Sequence, residues 1–156
     1  MSHDSSTYQP SPKGASTYMT IKGAAEAIAF YAKAFGASEE LRLENPDGKI
    51  AHAEIKIGDT VIMLSDEWPD FGALGPIAIG GSPVKFSILV EDADAAFTHA
   101  IDAGCSELRP VEDQFYGYRG GMVTDPYEYS WFIQHKVEEL TNDEMQARWS
   151  RVQTEM

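Results

Sequence analysis

Residues 24–42, AAEAIAFYAKAFGASEELR, and residues 92–109, DADAAFTHAIDAGCSELR, are two versions of one segment. Gly36-Ala37-Ser38-Glu39 in the first matches Gly104-Cys105-Ser106-Glu107 in the second, 68 positions on. In the first copy Ala24, Ala27, Ile28, Tyr31, Ala34 and Phe35 recur at helical spacing, and Gly36 stands where a left-handed C-cap is needed. Each copy therefore reads as an amphipathic helix, a Gly stop and a strand. Two copies are too few, and 68 residues too long, for a solenoid. They predict two βαβββ modules related by a pseudo-twofold axis, with a cleft between them as the natural place for a site.

The flanking sequence supplies the remaining elements. Residues 16–21 alternate and suit a strand. Ser38–Leu43 is a strand, Asn45-Pro46-Asp47-Gly48 a hairpin turn, and Ile50–Ile57 an alternating strand. On that strand Ala51, Ala53, Ile55 and Ile57 take one face, and Ile50, His52, Glu54 and Lys56 the other. Gly58-Asp59 turns the chain into Thr60–Leu64. The second half repeats the order. Val84–Val90 is a strand, and Asp92 or Asp94 caps a helix that ends at Gly104. Strands follow at Glu107–Glu112, Tyr118–Thr124 and Ser130–His135. Thr141 and Glu144 form a capping box that opens a last helix bearing Met145, Trp149 and Val152. The expected organisation is a loose tail over 1–14, a first module over 15–66, a linker loop over 67–83, a second module over 84–137 and a C-terminal helix over 138–156. The fold class is α+β, with the two modules forming an open barrel-like sheet.

Composition narrows the function. The chain has 25 acidic and 12 basic side chains, a net charge of −13, which opposes nucleic-acid binding. No apolar run reaches the ~18 residues of a membrane span, and the polar N-terminus lacks a signal-peptide core. A single cysteine, Cys105, cannot form an internal disulfide and fits a reducing, cytoplasmic setting, where it reads as a small buried hydrophobe. No Gly-rich phosphate loop, CxxC, HExxH or GxSxG motif occurs.

The segments AIAFYAKAFGA (27–37), IAHAEIKIGDTVIMLSDE (50–67), ILVEDADAAFTHAIDAG (88–104) and DQFYGYRGGMVTDPYEYSW (113–131) resemble the vicinal oxygen chelate superfamily of glyoxalases, bleomycin-resistance proteins and extradiol dioxygenases, and within it the PhnB-like branch. The resemblance spans roughly residues 16–136. It implies a dimer, and in the superfamily's enzymes one metal ligand on each of four strands. Carried over by counting from these motifs, the four positions are Ser16, Met63, Lys85 and Phe132. None is a His or an acid, so no metal and no other cofactor is expected. The chain also departs at Asp125-Pro126-Tyr127-Glu128-Tyr129, where the family usually has Gly at the fourth place and often His at the fifth. Glu128 must then bear modest strain or alter the turn.

By alternation the expected ligand-binding residues are Tyr18, His52, Glu54, Lys85, Tyr116, Arg119 and Phe132, with Ser65, Ser87 and Gln134 on the same faces. His52 and Glu54, two apart on a strand, lie ~6.6 Å apart along the chain. They either share a small ligand or hydrogen-bond only within the sheet. Arg119 either grips an anion or pairs with Asp113 or Asp125. Trp68 and Phe71 either close over a planar ligand or pack in their own loop. The expected function is metal-independent small-molecule binding by a homodimer, with no nucleic-acid or membrane partner. The alternative is a lyase, isomerase or dioxygenase, using a displaced divalent metal on His52, Glu54 and Glu67 or none.

Overall fold

The computed structural model describes Thr7, Tyr8 and residues 13–156; residues 1–6 and 9–12, most of the expected tail, lie outside the described residues. The chain divides into two units, 1–75 and 76–156. Both follow one plan.

In the first unit, β1 (Tyr18–Ile21) leads into α1 (Ala24–Phe35), then β2 (Ser38–Glu44), β3 (Ile50–Ile57) and β4 (Thr60–Asp66). The strands form an open mixed sheet in the order β1-β4-β3-β2. Strand β1 runs parallel to β4, and the other pairs are antiparallel. One face of the sheet is apolar because alternate residues are: Met19, Ile21, Ala53, Ile55 and Leu64 are all fully buried. Helix α1 presents Ala24, Ala27, Ile28, Tyr31 and Ala34 as its own buried stripe. Burying each large aliphatic side chain contributes roughly 1.5–3 kcal/mol, so this layer stabilises the unit. Gly36 ends the helix at φ 68°, the left-handed conformation that a side chain resists. The edge strand β2, SEELRLE, is almost wholly exposed, and its charges discourage edge-to-edge pairing.

The second unit repeats this. A short helix α2 (Pro76–Ile79) precedes β5 (Lys85–Leu89), α3 (Ala93–Ala103), β6 (Ser106–Asp113), β7 (Tyr118–Thr124) and β8 (Ser130–Lys136). The sheet order is β5-β8-β7-β6, again open, with β5 parallel to β8. Gly121 admits close packing of α3: a Cβ there would sit 3.0 Å from the Phe97 ring. Beyond the sheet lies α4 (Asn142–Glu155), whose capping box forms as the sequence predicts. Glu144 N–H donates to Thr141 Oγ1 at 3.1 Å, and Thr141 N–H donates to Glu144 Oε2 at 3.0 Å. None of the α4 residues is fully buried. The fold is therefore α+β, two βαβββ modules with an added C-terminal helix.

The Gly- and Pro-rich stretch after β4 is more ordered than a plain loop. A 3-10 turn at Pro69–Phe71 and α2 both lie within it. Trp68 and Phe71 meet edge to face at 5.4 Å, yet Phe71 remains 80% exposed.

Candidate functional site

The open face of the first sheet carries a chain of polar side chains. Alternation on β3 puts Ala53 and Ile55 under α1 and turns His52 and Glu54 to the other side. In register, Met63 of β4 stands between Tyr18 of β1 and Glu54 of β3. The Tyr18 hydroxyl lies 2.8 Å from His52 Nδ1, and His52 Nε2 lies 3.0 Å from Glu54 Oε2. A carboxylate only accepts, so Nε2–H donates to Glu54, and in the neutral ring Nδ1 then accepts from the Tyr18 hydroxyl. The Tyr18 and His52 rings sit 5.4 Å apart. Glu54 is 3% exposed, whereas Tyr18 is 49% exposed. The array thus runs from an exposed phenol through an oriented imidazole to a buried carboxylate.

A fourth side chain completes it. Tyr8 donates its hydroxyl to Glu54 Oε2 at 3.1 Å. That bond, more than burial or Glu54's charge, raises the Tyr8 pKa, so the phenol stays a donor. Both bonds fall on Oε2, and Oε1 receives none among the described residues. A buried carboxylate is costly to leave unpaired, so donors to Oε2 stabilise it. Sequence reasoning misses Tyr8. It stands in a Ser- and Pro-rich stretch with no periodicity to assign it a partner.

The second unit sets Lys85 and Phe132 on one sheet face and ties Tyr116 to that face through Gln134. Lys85 and Ser87 share a face of β5, and Ser87 is in register with Phe132. Gln134, two residues on, donates Nε2–H to Ser87 Oγ at 2.9 Å and accepts a long 3.5 Å bond from the Tyr116 hydroxyl. Burial raises the Tyr116 pKa. Arg119 is not brought to this group. It is in register with His135, one step out of phase with Phe132 and Gln134, so it takes the α3 face. There its Nε and Nη2 clamp Asp94 in the first turn of α3 at 2.8 and 2.9 Å, and Nη1 reaches Asp113 at 3.1 Å. These carboxylates satisfy the guanidinium and raise its pKa further, which makes Arg119 a structural pair.

The residues at the family's metal positions do not fit a divalent ion. Ser16, Met63, Lys85 and Phe132 offer a hydroxyl, a thioether, an ammonium and a ring. The displaced set is not assembled either. Glu67 turns away to accept from Gly75 N–H at 3.0 Å, and among the described residues no three His, Cys, Asp or Glu side chains form a metal-holding group. Cys105 is buried at 6% exposure, and burial followed by the charge of Asp125 pushes its thiol up to about 12. Thiolate chemistry is therefore suppressed there.

Residues 16–133 match the family model of the Glyoxalase/Bleomycin resistance protein/Dioxygenase superfamily. The chain belongs to that superfamily. An uncharacterised protein of Mycobacterium bovis, Mb0911c, is 39% identical over 138 residues, covering 86% of this chain and 91% of that one. The structure of the Arabidopsis thaliana At5g48480 product superimposes with a TM-score of 0.64 at 24% identity, over 79% of this chain and 98% of that one. The PhnB protein of Bacillus cereus gives a TM-score of 0.61 at 18% identity, over 79% and 99%. The two solved structures share the fold.

Proposed function

We propose that this member of the superfamily binds a small organic molecule without a metal, on the open sheet face that carries Tyr18, His52 and Glu54. The observation that supports this most is Glu54: a buried carboxylate on an open sheet face, held by His52 and reached by the exposed Tyr8 hydroxyl. A purely packing face would not retain such a group at that cost. Tyr18 supplies an exposed aromatic edge beside it. No cofactor is required, and the protein acts in the cytoplasm as a homodimer.

The test is an amide NMR titration against a set of small aromatic fragments in the presence of EDTA. Hits should shift Tyr18, His52 and Glu54 together, and chelation should change nothing. Fragments that bind only elsewhere, or only with added metal, would overturn the reading. The Tyr18–His52–Glu54 array favours a second reading, a metal-free lyase or isomerase. An imidazole between a phenol and a carboxylate can carry a proton from one side to the other.

A further inference from the structure

Glu54 Oε2 takes two donors of different standing. His52 is fixed two residues away on the same strand. Tyr8, 46 positions earlier, is itself in no helix or strand and is 55% exposed. Its hydroxyl is therefore a tethered visitor to a built acceptor. What it brings is a neutral O–H on an aromatic ring. An ammonium would suit the carboxylate's charge, but it carries three N–H groups to satisfy and costs more to desolvate. A phenol needs one acceptor and has one donor to give.

We infer that the face over Glu54 takes a small aromatic ligand by its phenolic hydroxyl, and that Tyr8 is the resident donor this ligand displaces. This rests on the small-molecule reading above and names the ligand class. The ligand's hydroxyl and that of Tyr8 compete for the same place at Glu54 Oε2, so the apparent affinity falls by the fraction of time Tyr8 is seated. If Tyr8 is seated about two thirds of the time, removing its hydroxyl strengthens binding about threefold.

The probe is p-cresol, the tyrosine side chain as a free molecule, titrated into wild-type protein and Tyr8→Phe while the His52 ring signals are followed. Tyr8 is more than half exposed, so the variant folds. The expected result is binding to both proteins, tighter in Tyr8→Phe by about threefold or more, with no shift from 4-methylanisole, which has the shape but no donor. Equal affinity in the two proteins overturns the displacement. Equal binding of 4-methylanisole, or tighter binding of benzylamine, overturns the phenol class. If other fragments move Tyr18, His52 and Glu54 while p-cresol does not, the ligand class falls and the site reading stands. If nothing moves them, both fall.

Discussion

Among the described residues, Glu128 alone of the non-glycines has a positive φ, at 71°. It closes the turn that the sequence marks at Asp125-Pro126, and it bears the strain expected of a non-glycine there. Asp125 holds the turn in place: its carboxylate accepts from Tyr127 N–H at 2.8 Å, Tyr129 N–H at 3.1 Å and Trp131 Nε1 at 2.8 Å. The left-handed conformation costs a non-glycine roughly 1–2 kcal/mol, and Gly returns about 0.5–1 of that as unfolded-state entropy. Glu128→Gly should therefore stabilise the protein by about 0.5 kcal/mol, seen as a higher denaturation midpoint at unchanged slope. A lower midpoint would mean that the Glu128 side chain makes a contact worth more than the strain. At this scale the sequence is legible wherever period two applies. His52 and Glu54 fall on one face because Ala53 and Ile55 claim the other. Arg119 is misplaced by its nearness in sequence to Tyr116, because nearness across a turn says nothing about which face a strand residue takes.

Helices α1 and α3 are capped at a distance by matching devices. Ala24 N–H donates to Asp66 at 3.1 Å and Ala93 N–H donates to His135 Nδ1 at 2.9 Å, each across 42 positions. Asp66 does more, since it also accepts from Gly23 N–H at 2.9 Å and Ile50 N–H at 2.7 Å. It joins the start of α1, the start of β3 and the end of β4 through one carboxylate. Asp66→Ala strands three donors and should cost about 3 kcal/mol. His135→Ala strands one and should cost about 1 kcal/mol. Urea denaturation of both variants checks the order; equal costs would show that water replaces the Asp66 carboxylate. Helix ends were legible because Gly36, Gly104 and the Thr141–Glu144 box act locally. The distant caps were not, because neither Asp66 nor His135 sits near its helix in sequence.

For the whole molecule, the repeat and the glycine stops in the sequence were enough to read two βαβββ modules. The short helical turns after β4 were hidden by a composition that also suits loops. The second unit leaves apolar surface open. Phe115 stacks on Trp149 at 5.2 Å, and with Asn142, Met145 and Gln146 they line a groove of about 490 Å³. Leu89 is 67% exposed, and Leu43 in the first unit is 52% exposed. A two-fold dimer is the commonest way for such surface to be covered. Light scattering at micromolar concentration should report twice the 17.2 kDa chain mass. A monomer at that concentration would remove the dimer from the proposed function.

The 42-residue reach of the two caps also orders events during synthesis. On the ribosome, α1 emerges early with its first amides unanswered, and β1 pairs with β4, which is made later. Neither is finished until Asp66 has cleared the exit tunnel. At that moment the first half has its four strands and the caps of α1, while the second half is still being made. The same wait then recurs until His135 is out. Nascent chains of this protein should mature in two steps, one per half, as is general for modules that close on their own last strand.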